Sequence, residues 1–165
     1  MQDIAKPDAL LEQMAEQLHT LLSSRAIEKP LMVGIHTGGV WIAKKLHSTL
    51  NISEPLATLD ISFYRDDFSR IGLNPKVKPS NLPPQVENRH IILVDDVLQT
   101  GRTIRAAMNE IFDYGRPASI TLVCLVERNG RELPIQADVV GQHLQLSDSQ
   151  HIKLTGPDKL EFEIT

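Results

Sequence analysis

Leu10, Leu11, Met14, Leu18, Leu21 and Leu22 recur at helical spacing between Pro7 and Ser23, with Asp8 near the start. That stripe predicts an amphipathic first helix. After Pro30 the pattern changes. Leu31 to Ile35 is an apolar run of strand length, His36-Thr37-Gly38-Gly39 reads as a turn, and Val40 to Leu50 reads as a second helix. Leu59, Ile61 and Phe63 alternate with polar neighbours, which predicts a second strand over Leu56 to Phe63.

Residues 64–85 follow no sustained period. Tyr64-Arg65-Asp66-Asp67 opens a charged stretch that runs through Gly72, Pro75 and Pro79 to Pro83-Pro84. A segment of this length without a pattern is expected to serve as a lid. Ile91-Ile92-Leu93-Val94 is then a near-continuous apolar run ending in two carboxylates, which suits a strand buried on both faces of a parallel sheet. Ile104, Ala107, Met108, Ile111 and Phe112 form a helical stripe ending at Gly115, and Ser119 to Val126 reads as another buried strand. A loop over Glu127 to Pro134, a short run at Asp138 to Gly141, and a hairpin near Ile152 and Phe162 complete the chain. Strand–helix alternation of this kind argues for an α/β fold with a mostly parallel sheet in a single domain over 1–165.

Composition removes several classes without adding one. The chain has 165 residues, 41% hydrophobic and 23% charged, which is ordinary globular composition. A net charge of −4 gives no global reason to expect DNA or a membrane as partner. No apolar stretch approaches the ~20 residues of a membrane span, and Met1 to Lys6 lacks the basic and apolar regions of a signal peptide. Cys124, the one cysteine, excludes an internal disulfide and sits in an apolar run, so it reads as a buried thiol in a cytoplasmic protein. The six histidines show no zinc-like spacing.

Candidate chemistry concentrates in Ile91 to Thr103. Asp95 and Asp96 stand at the carboxyl end of a strand, where open α/β sheets bind their ligands. The turn Thr100-Gly101-Arg102-Thr103 leads straight into a helix, so its N–H groups, two hydroxyls and a helix dipole make a phosphate cradle. Paired acids beside such a cradle suit a phosphorylated sugar. The competing reading is a helix cap after a strand, with a common Thr-Gly turn. The chain contains neither a P-loop nor a dinucleotide fingerprint.

The whole string, an apolar run, two acids, Val97-Leu98, Gln99 and then Thr-Gly-Arg-Thr, resembles the phosphoribosyl pyrophosphate (PRPP) motif of type I phosphoribosyltransferases. The resemblance implies that fold, with a lid over about 64–85, a base-binding loop over about 127–141 and a small hood. It implies that Asp95 and Asp96 take the ribose hydroxyls, that Val97, Leu98, Gln99, Thr100, Gly101, Arg102 and Thr103 form the phosphate loop, and that His36, Thr37, Gly38 and Gly39 form the pyrophosphate loop. A plain strand-to-helix turn is the alternative for the last four. The family's Mg²⁺ would be bridged through substrate, near Asp95, rather than held in a protein cage. Arg65 is the candidate cation for pyrophosphate on lid closure.

Four strings in order narrow the resemblance: Tyr64-Arg65-Asp66-Asp67, the phosphate-loop string, Tyr114-Gly115-Arg116-Pro117, and Arg131-Glu132-Leu133-Pro134-Ile135. Together they are similar to the bacterial pyrimidine-operon regulatory (PyrR) family over about residues 8 to 145. This implies a uracil phosphoribosyltransferase that makes UMP and pyrophosphate, with uracil near Val126, Glu127 and Arg128, in a homo-oligomer (dimer or tetramer). It also admits two alternatives: an RNA-binding attenuation regulator that senses UMP with weak catalysis, and a phosphoribosyltransferase for another base. RNA-binding members carry basic residues on the first helix, where this chain has Glu12, Glu16 and Gln17, and one more where it has Gln136. Those losses argue against RNA as a partner.

Overall fold

Pro7 opens the first helix where its missing N–H would have no partner anyway. The leucine and methionine stripe then lies buried along one face. In the computed structural model, which describes residues 2–61 and 80–165, the order is α1 (Pro7–Ser24), β1 (Leu31–Ile35), α2 (Gly38–Thr49), β2 (Ala57–Leu59), β3 (His90–Leu98), α3 (Arg102–Tyr114), β4 (Ser119–Arg128), β5 (Val139–Leu144), β6 (Ile152–Thr155) and β7 (Glu161–Ile164).

The first five strands form one sheet in the order β2-β1-β3-β4-β5, with every pairing parallel. Side chains alternate between its faces. Met32, Ile92, Val94, Val123 and Leu125 join Leu10, Met14, Leu18, Ile42 and Leu46 from α1 and α2 in one core. Val33, Ile91, Leu93, Leu122 and Cys124 face the other way, into a second core with Ile104, Ala107 and Ile111 of α3. A sheet covered on both faces explains why β1 and β3 read as continuous apolar runs rather than alternating ones. The strands β6 and β7 pair antiparallel as a separate hairpin, the hood, whose Leu154 and Leu160 pack on the first core.

Several boundaries differ from the sequence expectation. β3 continues through both acids to Leu98, because Asp95 and Val97 remain in register with Cys124 and Val126. α2 starts at Gly38 rather than Val40. β2 covers Ala57–Leu59 of the expected Leu56 to Phe63, whose last two residues lie outside the described ones. Most of the expected lid lies outside the described residues, but its end does not. Asn81 exchanges two backbone hydrogen bonds with Thr58 of the edge strand, at 3.2 and 2.8 Å, and Leu82 packs on the second core.

The opposite sheet edge is β5, and the chain ahead of α1 lies along it. Gln142 donates to the Asp3 carbonyl at 2.7 Å and accepts from the Ala5 N–H at 2.9 Å. Gln2 spans His143 O and Gln145 N in the same manner, at 3.0 and 2.9 Å. Side-chain amides thus take the place of a strand ladder and cover the edge.

Candidate active site

The strand order reverses direction between β1 and β3, so the loops that leave those two strands part on either side of a crevice. Open α/β sheets bind ligands at this switch point, outside the carboxyl ends of the strands. Here the loop after β1 is His36 to Gly39 and the end of β3 is Asp95 to Leu98. These two stretches, distant in sequence, therefore meet at one crevice.

Their approach is close. A Cβ on Gly38 would run into the Asp96 carboxylate. One on Gly39 would lie 2.6 Å from the Val94 carbonyl oxygen and 3.0 Å from Asp95 Cα. Glycine is required at both positions so that the start of α2 can lie directly on the two acids. The peptide joining His36 and Thr37 is cis.

The acids are ordered by the chain they belong to. Asp95 is 6% exposed and accepts from the Asp96 N–H at 2.9 Å through Oδ1. Asp96 is half-buried and accepts from the Val97 N–H at 2.8 Å through its own Oδ1, while Oδ2 is turned toward Gly38. Each carboxylate is thereby fixed in direction before any ligand arrives.

At the start of α3 the Arg102 N–H donates to Thr100 Oγ1 at 3.1 Å. Thr37 before α2 and Gly101 before α3 make no side-chain capping bond, and neither helix has an acidic residue in its first turn. α1, remote from the crevice, does carry Asp8 there. N–H groups at two helix starts, with no carboxylate to compensate the dipole, are suited to anions. Gly101 adopts φ +92°, a conformation that favours glycine and turns the chain into α3. Val97, Leu98, Gln99, Thr100, Gly101, Thr103 and Ile104 line a cavity of about 170 Å³. A larger hollow, of about 490 Å³, lies between α1 and α2 and is lined by Asp8, Glu12, Lys44 and Lys45 among others, none of them a residue of the crevice.

The remaining expected residues fall in different places. Arg102 is exposed and donates through Nε to Glu132 at 2.8 Å. Val126 is buried at the end of β4, beside Val97 in register. Glu127 pairs with His143 at 3.3 Å. Arg128 is 6% exposed, and its guanidinium donates to the Gln150 and Ser147 carbonyls at 2.8 and 3.3 Å, tying β4 to the turn before the hood. Arg65 lies outside the described residues. Sequence reasoning gave no role to the contacts of Glu132 and Leu133, whose N–H groups both donate to the Thr100 carbonyl, at 3.0 and 3.1 Å. A partner about thirty residues away leaves no local signal.

Among the described residues no group of three or more His, Cys, Asp and Glu side chains converges. Two adjacent carboxylates without a third protein ligand fit Mg²⁺ bound largely through substrate oxygens and water, and do not form a cage of their own.

Residues 4–157 match the phosphoribosyl transferase domain family. Solved structures give the fold. A hypoxanthine phosphoribosyltransferase from Staphylococcus aureus superposes with TM-score 0.67 at 20% identity, over 88% of this chain and 78% of that one. A purine phosphoribosyltransferase from Pyrococcus horikoshii gives 0.62 at 23% identity, over 83% and 82%. The crevice thus belongs to a phosphoribosyltransferase domain of α/β architecture. Curated relatives place it more narrowly. The bifunctional protein PyrR of Nitrosococcus oceani is 61% identical over 95% of this chain and 90% of its own length. That of Pseudomonas aeruginosa is 57% identical over 97% and 94%. The chain belongs to the PyrR family of phosphoribosyltransferases.

Proposed function

We propose that this protein transfers the phosphoribosyl group of PRPP to uracil, releasing pyrophosphate and giving UMP. The observation that carries the reading is the meeting of Asp95 and Asp96 with two helix starts free of acidic residues at one switch point. The family's relatives, named as bifunctional PyrR proteins, support the choice of the pyrimidine regulator type.

In the reaction the C1–O bond to pyrophosphate breaks, a C1–N1 bond to uracil forms, and the N1 proton is released. Positive charge develops on the ribose ring as pyrophosphate departs. Asp95 and Asp96 accept hydrogen bonds from the ribose hydroxyls, and their charge favours that developing cation. The N–H groups and hydroxyls of Thr100 to Thr103 hold the 5-phosphate, and Thr37 to Gly39 at the start of α2 receive pyrophosphate. Asp95 and Asp96 are the residues that would lie beside a bound Mg²⁺, which would supply charge neutralisation of the leaving group. The end of β4, Val126 to Arg128, forms the proposed wall for the base. The Arg128 guanidinium is engaged there by the Gln150 and Ser147 carbonyls. Fixing both reactants in this way converts an encounter into a near-unimolecular step.

Asp96→Asn tests the assignment. It keeps the side chain's size and its acceptor for the Val97 N–H. UMP formation from labelled uracil is expected to fall about 100-fold or more with the melting temperature unchanged. Retained activity would overturn the role of the acids.

RNA is not part of this proposal. Glu12, Gln13, Glu16 and Gln17 are exposed on the outer face of α1, a surface that repels rather than neutralises phosphates.

A further inference from the structure

The Arg131 to Ile135 stretch makes a chain of contacts with the phosphate loop that the reaction as described does not use. Thr100 O accepts from two N–H groups at once, Glu132 at 3.0 Å and Leu133 at 3.1 Å. In a planar trans peptide the C=O and the following N–H point in opposite directions. Pinning the Thr100 carbonyl from one side therefore fixes the Gly101 N–H to the other, across the loop that lines the 170 Å³ cavity. Gly101 itself is backed by apolar atoms. A Cβ there would meet Ile135 Cβ at 3.3 Å and Leu133 Cβ at 3.4 Å. Ile135 in turn packs on the second core, and its N–H donates to Leu133 O at 2.7 Å, closing a tight turn around Pro134.

The same segment is anchored at its other end. The Asn129 amide accepts from Leu146 N–H at 2.8 Å and donates to Leu146 O at 3.0 Å, fastening it to the chain before the hood. Gly130, at φ +110°, lies under Gln99, the residue that precedes the phosphate turn; a Cβ on it would be 3.2 Å from Gln99 Nε2. The base side of the crevice is thus joined to the phosphate side by one short strut.

We propose that residues 129–135 are a positioning strut that holds the phosphate loop in its binding shape, with Glu132 and Ile135 as its positioning residues for the PRPP 5-phosphate. This rests on the reading of Gln99 to Thr103 as the phosphate loop. Glu132 acts through Arg102, whose guanidinium it holds at 2.8 Å. Both partners are more than half exposed, with side-chain exposures of 59% and 52%, so the ion pair alone is a minor contributor. Ile135 carries the larger share, because it fixes the backbone that meets Thr100. A phosphate loop left free to adopt several shapes would pay the cost of ordering when the ligand binds.

The test compares wild type with Ile135→Ala and Glu132→Gln by steady-state kinetics and by calorimetric titration with UMP. For Ile135→Ala the KM for PRPP and the Kd for UMP are expected to rise together, by about tenfold. For Glu132→Gln the rise is smaller, about threefold. In both, kcat is expected to stay within about twofold of wild type and the KM for uracil to rise less than that for PRPP, since the acids and the end of β4 are untouched. Ile135→Val, which keeps the apolar contact, restores the wild-type values. A purely structural role would lower the melting temperature and the active fraction while leaving KM and Kd in place, and would overturn the proposal. So would variants that bind UMP as tightly as wild type. If Ile135→Ala does not fold, Glu132→Gln decides alone by the same criteria. If wild type itself neither binds UMP nor uses PRPP, it is the phosphate-loop reading that fails.

Discussion

Asp95 stands opposite Cys124 across the β3–β4 pairing, so the buried acid of the site and the chain's one thiol share an environment. Burial, and after it the negative charge of Asp95, push the Cys124 thiol well above its ordinary range. The neutral thiol is the native form. Its contribution to stability is complete below the pH at which an unfolded cysteine ionises, about 8.5, and is lost as the pH climbs from there toward the folded value. Between about pH 8 and pH 10 the stability of wild type is therefore expected to fall more steeply than that of Cys124→Ala, by up to ~1.4 kcal/mol per pH unit, in chemical denaturation. Iodoacetamide should leave the folded thiol unmodified. Equal slopes and rapid alkylation would show an accessible, ionised thiol instead. The buried state of Cys124 was legible in its apolar neighbours, as were the two acids in the run that precedes them. The Arg128 side chain was not. A basic residue after a strand reads as a base contact or a solvated charge, and its burial against Gln150 and Ser147 depends on a turn some twenty residues later.

At the scale of elements, the site depends on how near α2 can come to β3. Gly39 permits that approach, since the atoms a methyl group would meet, Val94 O and Asp95 Cα, belong to backbone that cannot swing aside. Gly39→Ala is expected to cost roughly 1–3 kcal/mol in urea denaturation and to lower UMP formation about tenfold or more by displacing the acids. Wild-type stability and activity would contradict this account of the α2–β3 contact. The existence of β1, β3 and β4 was readable from apolar runs bounded by turn residues. Their ends were less so. Two aspartates look like the close of a strand, yet β3 keeps its register through them to Leu98. Two glycines look like a break, yet α2 begins on them. In both cases a tertiary pairing prevails over local preference. The end of the expected lid differs for the same reason, since Asn81 is bonded to the edge strand at Thr58.

The whole molecule adds what no single stretch contains. Strand–helix alternation argued for a parallel sheet, but nothing in the sequence gives the order β2-β1-β3-β4-β5, and it is that order which opens the crevice between β1 and β3. Once it is open, Gly38 and Gly39 meet Asp95 and Asp96 across it. The most direct test is a nucleotide-formation assay with PRPP, Mg²⁺ and radiolabelled uracil, run beside hypoxanthine, adenine and orotate. The account predicts turnover with uracil at least about tenfold above the other bases, a difference of ~1.4 kcal/mol in the transition state. Turnover greatest with a purine would contradict the choice of base while keeping the reaction, and silence with all four would contradict the reaction itself.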